Sequence, residues 1–224
     1  MNVPLPNSQI IREITPLSDK DCFYIAERYK TEFTYPIHNH PEFELNFIEQ
    51  AAGVRRIVGD SSEVIGDYDL VLITGKDLEH VWEQNDCHSR QIREITIQFS
   101  SDLFFKSFIN KNQFDSIRRM LEKAQKGLYF PMSAILKVYP LLDTLASEKE
   151  GFYAVIKFLS ILYELSLFEE EARTLSSSSF AKIDIQSAGT ESTGIHQHPL
   201  QGRDTPGAVS RYGRNDGCVV QPFF

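Results

Sequence analysis

From about Asp21 to Phe99 the chain reads as a succession of short strands, punctuated by turn residues roughly every 8–12 positions. Glu42-Phe43-Glu44-Leu45-Asn46-Phe47 alternates polar and apolar side chains, as a half-buried strand requires. Val54–Val58, Ser62–Ile65, Asp69–Ile73 and Glu94–Phe99 are further β-branched or aromatic runs, separated by Gly53, Gly59-Asp60, Gly66-Asp67 and Thr74-Gly75. Strands this short cannot bury their apolar faces singly, so the pattern predicts a sandwich or a barrel.

After Ser100 the period changes. Phe105, Phe108, Ile109, Phe114, Ile117, Met120, Leu121 and Ala124 fall at helical spacing, and Gly127 is placed to end that helix. A second helix follows Pro131 through Ile135, Leu136, Tyr139, Leu142 and Leu145, with an interruption or kink expected near Pro140. A third, Phe152–Phe168, carries apolar residues over more than one face and so calls for more than one packing partner. The expected fold is mainly β with C-terminal helices: a β-barrel followed by an α-helical hairpin or bundle.

Charge and composition narrow the function. The formal net charge is −8, and residues 188–224 hold three basic and three acidic residues, so the whole excess belongs to residues 1–187. That balance argues against nucleic-acid binding by these residues, since phosphate contacts need clustered positive charge. No apolar run reaches the roughly 18 residues of a membrane span. Met1–Pro6 lacks the basic and apolar stretches of a secretory signal, so a cytoplasmic location is expected. Cys22, Cys87 and Cys218 are too scattered for a disulfide framework or a zinc cluster. There is no phosphate-cradling glycine loop, no G-x-S-x-G elbow and no C-x-x-C pair. Arg55-Arg56 and Arg118-Arg119 read as solvated doublets.

One constellation carries chemistry. In His38-Asn39-His40-Pro41-Glu42-Phe43-Glu44, positions 38, 40 and 44 share parity, and His80 follows 36 residues after Glu44, beyond a strand and a turn. If those strands pair, three imidazoles and a carboxylate meet, a donor set suited to divalent Zn, Fe, Ni or Mn. The alternative is a group of polar residues lining a ligand pocket, or a hydrogen-bonded remnant. Trp82, the one tryptophan, either stacks on a ligand at the barrel mouth or caps the barrel core.

The order H-x-H-x3-E, then G-D-x-x-L-V-L-I, then a turn and H-x-W resembles the two motifs of the cupin barrel, at His38–Glu44 and Gly66–Trp82. The string Gly66–Ile73 with Leu78–Trp82, and the helices after it, resemble the sensory domain of AraC-type transcription regulators over roughly residues 20–187. Two departures from the enzyme form of the pattern stand out. The turn before His80 reads Thr74-Gly75-Lys76-Asp77 without the usual proline, and the glycine expected shortly before His38 is absent.

The resemblance implies a cupin-type double-stranded β-helix. It implies an N-terminal arm over 1–19, a sensory barrel over 20–103, a helical dimerisation segment over 104–175, and a linker and tail over 176–224. It further implies an unknown small-molecule effector held near His38, His40, Glu44, His80 and Trp82, a homodimer, and no catalytic role. The same four polar residues would serve as ligands if a divalent metal is the cofactor. The competing class is a metal-dependent cupin enzyme, a dioxygenase or isomerase.

An AraC-type regulator continues into two helix-turn-helix motifs, and residues 188–224 do not. They hold six of the twelve glycines and no helical or strand period, the composition of a disordered tail. When codons are read one base on, residues from Arg211 to Phe224 permit D-M-V-G-M-T-x-V-S-F-S-R-F, which resembles the first of those motifs. Gln201–Arg211 likewise permits K-E-E-I-R-L-x-Q-L-A. The expectation is a frame slip near Ser187–Ala188 that leaves a non-native tail, with DNA contacted only through the missing domain. His196 and His198 in that tail carry no function in this reading.

Overall fold

A computed structural model describes residues 10–104 and 106–177. Residues 1–9 of the expected arm and 178–224 of the expected linker and tail, with the histidines there, lie outside the described residues. The strands, in chain order, are β1 (Ile11–Arg12), β2 (Tyr24–Lys30), β3 (His38–Asn39), β4 (Phe43–Glu49), β5 (Arg55–Val58), β6 (Ser61–Val64), β7 (Tyr68–Ile73), β8 (His80–Glu83) and β9 (Ile92–Phe99). Then come α1 (Lys106–Ile109), α2 (Asp115–Lys123), β10 (Leu128–Tyr129), α3 (Met132–Leu145), α4 (Gly151–Ser166) and β11 (Arg173–Thr174). The class is the expected one, mainly β with C-terminal helices.

Two sheets form the barrel-like β layer. The smaller runs β1-β3-β8-β5-β6, and the larger β11-β10-β7-β4-β9-β2. All ladders are antiparallel except β1 with β3. The larger sheet is covered on both faces, which is why β9 is buried along its whole length. Phe43, Leu45 and Phe47 of β4 and Ile95, Ile97 and Phe99 of β9 pack under Val138 and Leu142 of α3 and Phe158 and Ile161 of α4. The alternate residues of β4, β7 and β9 turn inward, where Ile48, Val71, Ile73 and Ile92 meet Val58, Leu78 and Trp82 of the opposing segments in a second core. At about 25 cal/mol per Å² of apolar area, each large side chain buried this way stabilises the fold by roughly 1.5–3 kcal/mol.

The single helix expected over 105–124 is broken. α1 stops at Ile109, Lys111 is extended, and a 3-10 turn, Asn112–Phe114, leads into α2. Asn110-Lys111-Asn112 supplies the break, because asparagine side chains compete for nearby backbone groups and favour non-helical turns. Gly127 ends the segment with φ +70, and a Cβ there would sit 2.7 Å from Val58 Cγ1, so both conformation and space demand glycine. The interruption expected at Pro140 is absent: α3 runs unbroken from Met132 to Leu145. Ala134, Ile135 and Val138 before the proline and Leu142 and Leu145 after it are all buried, so both halves pack into the core. Among the described residues, no helix is long and apolar enough to cross a membrane.

Candidate metal centre

β3 and β8 are antiparallel neighbours in the smaller sheet, with His38 directly opposite His80. Glu44 lies on β4 of the other sheet, flanked by Gln98 and Ile73. The shared parity of 38, 40 and 44 is therefore not that of one strand. The chain leaves β3 through His40, crosses at Pro41-Glu42 and enters β4, so the histidines and Glu44 face one another across the interior.

The side chains converge. One donor atom from each of His38, His40, Glu44 and His80 lies within 4.8 Å of the others, and all four residues are buried. The His38 and His80 ring centroids are 4.3 Å apart, and those of His40 and His80 are 5.0 Å apart.

Backbone carbonyls set the tautomers. His38 Nδ1–H donates to Pro36 O at 2.9 Å, His40 Nδ1–H to Glu42 O at 3.0 Å, and His80 Nδ1–H to Leu78 O at 2.9 Å. With Nδ1–H so engaged, each ring turns its Nε2 inward, the arrangement in which outer hydrogen bonds orient metal-binding imidazoles. His80 Nε2 is buried and has no hydrogen-bond partner. His40 Nε2 stands 3.1 Å from Glu44 Oε2, so two acceptors confront each other unless a proton or a cation lies between them. An orphaned inward lone pair, two more beside it and a carboxylate fit a divalent cation.

The electrostatics follow from burial and mutual contact. Burial, together with His38 and His40, pushes His80 down to about 3 against the pull of Glu44. Burial works against the Glu44 carboxylate, but the His40 hydrogen bond and the surrounding imidazoles hold it down at about 2. Burial also opposes a proton on His40, yet Glu44 and Glu13 raise its affinity above the ordinary value. The cluster therefore keeps a charged carboxylate and a neutral His80, both ready to act as donors.

Two residues of this site, Gln98 and Glu13, belong to neither sequence motif. Gln98 Nε2 donates to Glu44 Oε2 at 3.0 Å and to Glu13 Oε2 at 3.3 Å. Its alternation with Phe99 on β9 shows which face it occupies once the β4–β9 register is known. Glu13 arrives from the N-terminal segment, where no periodicity points to it, and lies 3.5 Å from His38 Nε2. Trp82 sits in the inner core, its indole N–H donating to Asp69 Oδ2 at 3.0 Å, with its ring 6.2 Å from His80. Asn46, next inward from Glu44 on the same face of β4, has a buried Oδ1 without a partner. Cys22 is exposed, Cys87 is buried and both are free, while Cys218 lies outside the described residues.

The two clefts nearest in kind to ligand pockets lie elsewhere. One of about 470 Å³ is lined by Tyr29, Lys30 and Arg90, and one of about 260 Å³ by Glu49, Arg93 and Tyr139. Both are at the Glu49 end of β4, opposite to Glu44.

No protein-family model and no curated protein matches the chain. Among solved structures it is similar to ToxT from Vibrio cholerae, in a 1.65 Å structure of its P21 form: 15% identity, 73% of this chain and 61% of that one covered, TM-score 0.43. It is similar too to ToxT from Vibrio cholerae O395 bound to (E)-4-(8-methylnaphthalen-1-yl)but-3-enoic acid: 12% identity, 74% and 63% covered, TM-score 0.44. The chain spans less than two thirds of the length of those proteins. Fold and site together define a helix-backed β-barrel domain with a buried cluster of three histidines and one carboxylate.

Proposed function

We propose that this chain is the small-molecule-sensing and dimerisation part of an AraC-type transcription regulator, and that its barrel holds a divalent cation on His38, His40, His80 and Glu44. The observation that carries the metal reading is the convergence of three tautomer-locked Nε2 atoms and one carboxylate, with His80 Nε2 otherwise unpartnered. The motif order and the helices that follow the barrel support the regulator reading. The bound ion would supply Lewis acidity, holding an anionic or carbonyl oxygen of the effector. The protein's part is to orient the three rings through Pro36, Glu42 and Leu78, and to exclude water. Effector binding would favour one arrangement of barrel and helices, and so bias paired DNA-binding domains. The beginning of such a domain, up to its first helix-turn-helix, would be encoded in the second reading frame over 188–224, which sequencing of the gene tests directly.

Elemental analysis of the purified chain tests the metal reading. One equivalent of divalent metal is expected, falling below about a tenth in His38→Ala and His80→Ala. Absence of metal after refolding with Zn, Fe, Mn or Ni salts would sink it. A metal-dependent dioxygenase or isomerase is the second reading, supported by the same four donors. A thermal-shift screen of sugars and small acids separates the two. A sensor gains about 2.7 kcal/mol at a ligand concentration of 100 Kd and returns the compound unchanged, whereas an enzyme converts it.

A further inference from the structure

The first described strand is tied to the metal centre by more than packing. β1 runs parallel to β3, with Ile11 N–H donating to Ile37 O at 3.1 Å and Glu13 N–H to Asn39 O at 2.9 Å. Those two bonds carry Glu13 over the site. Its Oε2 lies 3.5 Å from His38 Nε2, 4.0 Å from His40 Nε2 and 3.3 Å from Gln98 Nε2. Gln98 Nε2 also donates to Glu44, so one amide bridges the two carboxylates.

Without a cation the arrangement is poorly balanced. Two carboxylates are drawn together at one end of the barrel, beside the inward-facing Nε2 atoms of three imidazole rings. A buried negative charge is costly unless it is paired. A divalent cation would cancel both charges and occupy the lone pairs, including that of His80 Nε2, buried and unpartnered. Among the described residues, the other side-chain ties of this strand are Arg12 with Asp77 at 2.9 Å and with Asn39 Oδ1 at 3.0 Å, both exposed, and Thr15 Oγ1–H donating to Glu42 Oε2 at 2.9 Å. An exposed ion pair such as Arg12–Asp77 contributes little.

We propose that Glu13 is a fifth protein ligand of the cation held by His38, His40, His80 and Glu44, so that metal binding and the pairing of β1 with β3 are one coupled event. This rests on the metal reading above. The coupling has a direction on each side: metal clamps the N-terminal segment, and a detached segment weakens the metal.

The test uses the full chain with Zn²⁺ and Mn²⁺, their affinities measured by competition with a chelator. Glu13→Gln should weaken binding at least about 10-fold, the scale on which support for a metal site is lost. Asp77→Asn weakens only the surface pair with Arg12 and should leave affinity within about twofold. Hydrogen exchange gives a second readout: metal should slow the Ile11 and Glu13 amides in the wild type but not in Glu13→Gln. If the wild type binds metal and both readouts are unchanged in Glu13→Gln, Glu13 is not a ligand while the four-residue site stands. If the wild type binds no metal at all, both readings fall together.

Discussion

At the scale of single residues, the histidines differ because their surroundings differ. His80, pushed down to about 3, titrates below its ordinary 6.5, so between those values the unfolded chain takes the proton first. Its contribution to stability is complete above pH 6.5 and is lost as pH falls toward 3. Glu44, held at about 2 against an ordinary 4.5, adds a loss of the same sign below pH 4.5. His40, raised, acts the other way: its contribution is present below pH 6.5 and fades as pH rises through its folded value. The Tm of the metal-free protein should therefore fall between pH 6 and pH 4. His80→Asn, whose amide N–H can still reach Leu78 O, should flatten that fall. An unchanged slope in the variant would count against the assignment. The residue types of this site were legible from H-x-H-x3-E and His80. Their tautomers were not, because Pro36, Glu42 and Leu78 act through backbone carbonyls that any residue carries.

At the scale of elements, α4 carries two faces. Phe158, Ile161, Leu162 and Leu165 are buried against the sheet and its neighbours, while Phe152, Tyr153, Ile156, Tyr163 and Leu167 are exposed. Residues 152, 156 and 163 recur at steps of four and seven, so they lie along one stripe of the helix, which Leu167 at its C-terminal cap continues. The apolar residues that sequence alone spread around the helix thus divide into a face the fold uses and a face it leaves to water. A stripe of this kind suits the homodimer of the proposed function. Ile156→Glu with Phe152→Ser should shift the chain from dimer to monomer in sedimentation while leaving its Tm within a few degrees. A wild type that sediments as a monomer would refute the dimer. The broken helix before Gly127 and the unbroken one through Pro140 show the limit of reading elements singly. Local propensity decided the first and packing overrode it in the second.

At the scale of the whole molecule, distant segments are joined by a charge network that begins buried at Arg56 and Asp69 and ends at the surface. Arg56 and Asp69, 2% and 1% exposed, pair directly inside the barrel, and Arg56 also bonds Glu63 at 2.7 Å. Arg173, 110 residues further along, bonds both oxygens of Glu63 at 2.6 Å, and the Tyr129 ring lies against both guanidinium groups. Burial raises Asp69 despite Arg56 and Trp82, which marks how much its neighbours must offset. Arg56→Met should destabilise the fold by about 3–5 kcal/mol in urea unfolding, since it leaves Asp69 buried with one donor. Arg56→Met with Asp69→Leu should recover most of that loss, and strictly additive losses would contradict this account. Arg55-Arg56 had read as a solvated doublet. One of the pair is instead among the most buried side chains, because a two-residue charge run says nothing about which strand opposes it. What the sequence by itself determined was the class, strands then helices, and the residue types of the site, because periodicity and side-chain chemistry are local properties. Tertiary structure alone decided that His38 and Glu44 belong to different sheets, that Glu13 and Gln98 join them, and that Arg56 is buried. Each depends on register and crossing between distant segments, which no local pattern encodes.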